Sequence, residues 1–189
     1  MLSPATRQLI VKLHLLLAAF MFPAVVMFLG TGVLYTWGNT GKYIDTEHSI
    51  SLSKPLVNDK DALVAVATAE LVRLNLAPPG GSPSVRKLGD TYRFEWSGAN
   101  REVHLEPTKN PGVGKLTVKE TTLHRRFVQL HKAKGTTVFK VYASILAASL
   151  FLLVASGLIV AFTSPAYRAL AGWASGAGVL LFVAAVAFG

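Results

Sequence analysis

The chain has 189 residues, of which 51% are hydrophobic and only 15% charged, with a net charge of +9 and a mean hydropathy of +0.43. That length and composition leave room for three membrane spans beside one small extramembrane domain of about 100 residues. The absence of cysteine excludes disulfides, thiolate metal sites, cysteine-ligated clusters and covalent haem attachment through CxxCH. The excess of lysine and arginine follows no nucleic-acid-binding motif. Contact with anionic lipid headgroups accounts for it, so membrane lipids are expected partners and nucleic acid is not.

Arg7 and Lys12 precede LHLLLAAFMFPAVVMFLGTGVLYTW, which is uncharged from Leu13 to Trp37. Crossing a hydrocarbon core takes roughly 20 residues at 1.5 Å rise. The apolar run is too long for a signal-peptide core and no small-x-small cleavage site follows, so residues 1–37 read as an uncleaved anchor. Pro23 falls mid-span and should kink the helix. Tyr35 and Trp37 close the span as interfacial aromatics.

All ten acidic residues lie between Asp45 and Glu120, which marks 38–120 as a separate extramembrane domain. A polar entry, IDTEHSISLSKPLVND, leads to a helix capped by Asp59, with Leu63, Val66, Ala67, Glu70, Leu71 and Leu74 at helical spacing. After the PPGGSP loop come SVRKLG, TYRFEWSG, REVHLEP and GKLTVKET, which alternate with period two and predict strands. SGAN and KNPGVG between them read as hairpin turns. One helix against a small antiparallel sheet is the economical fold.

Residues 121–138 form a basic amphipathic segment. Leu123, Phe127, Val128 and Leu130 are assigned to its apolar side, and Arg125, Arg126, Lys132 and Lys134 to its polar side, as for a helix lying at a membrane interface. A second span covers 139–163 and a third 169–189, joined by a tight loop at Pro165 and Arg168. The expected fold class is thus an α-helical integral membrane protein with three transmembrane helices and an α+β domain between the first two. Gly30, Gly32, Gly157, Gly172 and Gly176 are candidate helix-packing positions, and Thr31, Ser144, Ser149 and Ser156 candidate interhelical hydrogen-bonding groups. Arg7 and Lys12 against Lys42 orient the N-terminus to the cytoplasm. The basic residues from Arg125 to Lys140 against Arg168 argue the reverse, but the first helix usually dominates.

Two stretches carry a family resemblance. LIVKLHLLLAAF followed by GTGVLYTWG, and LHRRFVQLHKAKG followed by VASGLIVAF, resemble the PepSY-associated transmembrane helix family in their basic-His entries and their Thr-Gly or Ser-Gly steps near a span's end. The helix-then-strands segment between them resembles a PepSY module, and together they cover most of the chain except the third span. The two steps also form an internal echo, Thr31-Gly32-Val33-Leu34 and Ser156-Gly157-Leu158-Ile159. The resemblance implies a bacterial inner-membrane protein with a periplasmic PepSY domain. Some relatives are b-haem ferric-siderophore reductases; others are accessory proteins.

The histidines decide between these. A bis-histidine haem needs two imidazoles at one depth on different helices. His14 would find its partner at the end of span two or the start of span three, and neither contains histidine or methionine. His124 and His131 are seven residues apart on one helix, roughly 10 Å, which suits a surface stack better than a porphyrin sandwich. His48 is expected in a flexible loop and His104 on a solvated strand face. No cofactor is therefore expected of the single chain, with haem b at His14, His131 or His124 of an oligomer as the alternative. No HExxH, GxSxG, phosphate loop or dinucleotide fingerprint occurs. The expectation is a non-catalytic accessory subunit of a redox or respiratory inner-membrane complex. The competing expectation is a haem-b ferric-siderophore reductase working as an oligomer.

Overall fold

A computed structural model of the protein describes residues 3–189. In chain order the elements are α1 (Pro4–Thr36), β1 (Tyr43–Ser51), α2 (Lys60–Arg73), β2 (Pro83–Leu88), β3 (Thr91–Ser97), β4 (Arg101–Pro107), β5 (Val113–Thr121), α3 (Leu123–His131), α4 (Thr137–Thr163) and α5 (Arg168–Phe188). They form two compact units. One holds α1 through Val25 together with Ala143–Gly189; the other runs from Val26 to Tyr142.

The first unit is helical. Helices α1, α4 and α5 are each long and apolar enough to cross a membrane, so the fold fits a multi-pass membrane protein. α1 is continuous through Pro23. Met21, Ala24, Leu146 and Ser149 are buried within this unit, whereas α5 buries none of its residues.

The second unit is built on an antiparallel sheet of order β1-β5-β4-β3-β2. Strands β2 to β5 are a meander, and β1 pairs along the free side of β5. Strict alternation divides the sheet into two faces. Val85, Phe94, Leu105 and Leu116 stand in one cross-strand row, and Trp96, Val103 and Val118 in the next. α2 covers these rows with Leu63, Ala67 and Leu71, and the cluster they close includes Ile50. Asp59 caps α2 by accepting a hydrogen bond from the Ala62 amide at 2.7 Å, which satisfies one of the helix's unpaired N–H groups. Gly114 lies opposite Ile50 in the register. A Cβ there would meet the Ile50 side chain at 3.0 Å, so the missing side chain makes room for the core isoleucine.

The opposite face is a charge ladder. Lys115 meets Glu47 at 2.6 Å, Lys119 meets Asp45 at 3.2 Å, and Arg93 pairs with Glu106.

Two expectations change here. The polar entry is not a loop, because Tyr43–Ser51 pairs with β5 over its whole length, so His48 stands on a strand opposite Leu116 rather than in a flexible stretch. His104 is not a solvated side chain: only 14% of it is exposed, and its Nε2 lies 2.7 Å from Glu102 Oε1.

Candidate functional site

Each unit contains a histidine held by a hydroxyl–glycine step, and in both the ring Nδ1 meets the hydroxyl and Cε1 faces the glycine. In the helical unit, His14 Nδ1 of α1 lies 2.9 Å from Ser156 Oγ of α4. Ser156 Oγ donates to the Leu153 carbonyl at 3.1 Å. Its neighbour Gly157 faces the ring, since a Cβ built there would lie 3.7 Å from His14 Cε1. In the other unit, His131 Nδ1 at the end of α3 lies 2.9 Å from Thr31 Oγ1 of α1. Thr31 Oγ1 donates to the Met27 carbonyl at 2.6 Å. A Cβ on Gly32 would lie 3.4 Å from His131 Cε1, and the Phe28 ring stacks at 5.0 Å from the imidazole.

The hydrogen count fixes the chemistry. A hydroxyl has one proton, and in both clamps it goes back to the helix carbonyl, as serine and threonine commonly do in helices. The hydroxyl can then only accept from the ring. Nδ1 of His14 and of His131 therefore carries a hydrogen, and in the neutral ring Nε2 is the nitrogen with the lone pair. This is the second-contact pattern that prepares an imidazole to ligate a metal through its other nitrogen.

A polar cluster positions α3. The Tyr43 hydroxyl donates to Glu102 Oε2 at 2.8 Å and accepts from Arg125 Nη2 at 3.0 Å and Gln129 Nε2 at 2.9 Å. Arg125 lies over the Tyr43 ring at 4.5 Å and also donates to the Thr40 carbonyl. Burial, followed by the bond to Glu102, pushes the Tyr43 hydroxyl up to about 12 despite the opposing pull of Arg125. Glu102 is drawn down to about 2, first by its hydrogen bond with His104, then by that with Tyr43. Gly41 completes the joint. Gly38, with φ +78°, turns the chain first, and at Gly41, with φ +72°, a Cβ would sit 2.5 Å from the Arg125 amide nitrogen.

The expected site residues fall in several places. Gly32 and Gly157 each face an imidazole, while a side chain at Gly30, Gly172 or Gly176 would meet nothing within 4 Å. Arg125 turns inward to Tyr43, so it is not on the exposed side of α3 with Arg126. Conversely, Leu123 and Phe127 are exposed, and the buried pair of α3 is Val128 with Gln129. Lys132 Nζ lies over the Tyr35 ring at 5.5 Å, Trp37 is exposed, and Lys134 is half-buried. His124 Nε2 is buried without a hydrogen-bond partner. Among the described residues no three His, Asp or Glu side chains gather as a metal site. Sequence reasoning missed Tyr43, Glu102 and Gln129; only the glutamine, polar between apolar Val128 and Leu130, marked the place.

No protein-family model matches this chain, and no curated protein or solved structure matches it either.

Proposed function

We propose that this protein is a non-catalytic accessory subunit of a larger bacterial inner-membrane assembly of the redox or respiratory kind, with its sheet domain in the periplasm. The observation that carries this reading is α5. It is 21 residues long and apolar, yet none of its residues is buried, and Gly172, Gly176 and Gly178 face open space. A helix with a small-residue face and no buried residue is suited to close approach by a second transmembrane helix. The resemblance to PepSY-associated membrane proteins supplies the setting, and that step is analogy.

The test uses the absence of cysteine. Gly176→Cys gives a single reactive position on α5, and crosslinking in native membranes should trap a second, different membrane protein. A chain that crosslinks to nothing and purifies alone from mild detergent overturns the subunit reading.

One observation favours a second reading, haem b. His14 and His131 each hold Nδ1–H on a hydroxyl, so in the neutral form either would hold a haem iron through Nε2. Haem would supply one-electron transfer, with the second ligand coming from another copy or a partner. A reduced-minus-oxidised spectrum of the purified protein separates the readings. A stoichiometric b-type signal abolished by His14→Ala or His131→Ala establishes the electron carrier, and a colourless preparation retires it.

A further inference from the structure

A cavity of about 370 Å³ opens beside the start of α4, entirely within the unit that contains the sheet. Its polar wall carries two guanidinium groups, Arg101 and Arg126, and no carboxylate lines it. Arg101 is fixed in place, because it pairs with Glu120, which lies outside the lining, and donates through Nη1 to the Ala77 carbonyl at 2.6 Å. Of its five N–H donors two remain. Arg126 takes part in none of the ion pairs among the described residues, so its charge is uncompensated at the cavity. The lining also includes the apolar side chains of Leu76, Leu130 and Phe139.

We propose that this cavity binds the phosphate of an anionic phospholipid headgroup, between Arg126 and Arg101, with the glycerol and upper acyl chain against Leu130 and Phe139. Guanidinium groups recognise phosphate oxygens through paired, charge-assisted hydrogen bonds. Place argues for a lipid over a free phosphate. Phe139 lies in the first turn of α4, and the chain is uncharged from Val141 to Tyr167, so the cavity stands where a span begins and headgroups lie. The apolar side chains have no use for inorganic phosphate. The site needs only that α4 spans a membrane and is independent of the subunit reading.

The experiment is native mass spectrometry of the delipidated full chain in detergent, titrated with phosphatidylglycerol, phosphatidylcholine or inorganic phosphate. One tightly held phosphatidylglycerol per chain is expected, with phosphatidylcholine, whose phosphate carries a choline cation that the two guanidinium groups repel, bound about tenfold or more weakly. Arg126→Gln and Asn100→Asp should each abolish that preference, the second by placing a negative charge in the lining without changing side-chain volume. Circular dichroism melting checks that both variants are folded. Equal binding of the two lipids, or a preference that survives both substitutions in folded protein, overturns the site. Displacement of phosphatidylglycerol by an equal concentration of inorganic phosphate overturns the lipid assignment in favour of a free anion.

Discussion

At the residue scale, the two clamps make a prediction that needs no ligand. Nitrogen-15 NMR of labelled protein should show both His14 and His131 as the Nδ1–H tautomer, because each hydroxyl has already given its proton to a helix carbonyl. Thr31→Val should release His131 from that tautomer and leave His14 unchanged; an Nε2–H signal from the unaltered protein sinks the assignment. Glu102 gives a pH prediction. Its carboxyl is held near 2 against an ordinary value of 4.5, so the folded state favours the carboxylate. That stabilisation is complete above about pH 4.5 and is lost as pH falls towards 2. Tyr43 works at the other end, where a hydroxyl raised from 10 to about 12 loses its contribution as pH climbs through that interval. Acid and alkaline melts should show both limbs, Glu102→Gln flattening the first and Tyr43→Phe the second. Ala133, just past α3, holds φ +57°, a left-handed conformation better suited to glycine. Ala133→Gly should raise stability by about 1 kcal/mol in denaturant melts.

At the element scale, legibility followed periodicity. Strands β2 to β5 and α2 could be read because each buries one face, and Phe94, Leu105 and Leu116 fall in a single cross-strand row. β1 could not, since Ile50 is its one buried residue and a mostly polar edge strand carries no alternating apolar signal. α3 misled for another reason. Its basic residues read as one solvated side, but the Tyr43 ring and hydroxyl draw Arg125 inward, a contact between residues 82 positions apart. The clamps are more distant still, at 100 and 142 positions, and only the repeated hydroxyl–glycine step hinted at them. Packing of the sheet gives its own test. Phe94 is wholly buried, and Phe94→Ala should cost about 3–5 kcal/mol of the sheet unit's stability, measured by chemical denaturation. A loss below 1 kcal/mol would contradict the core described above.

At the scale of the whole molecule, three apolar helices and one sheet domain were both legible, because uncharged runs and the confinement of acidic residues to 45–120 are properties of long windows. Orientation is tested by labelling. Asn58→Cys, just ahead of α2, should react in intact cells with a membrane-impermeant maleimide if the domain faces outward, and only after lysis if it faces the cytoplasm.

The borders of the sheet have a consequence for how copies of this chain can meet. β2 begins at Pro83, which has no N–H to offer, and carries Arg86 and Lys87; β1, the other border, carries Asp45 and Glu47. Prolines and charges at such borders hinder another strand from adding on. Zipper-like growth from sheet to sheet is thus discouraged at both ends, and self-recognition is left to the greasy helices, in two dimensions rather than three.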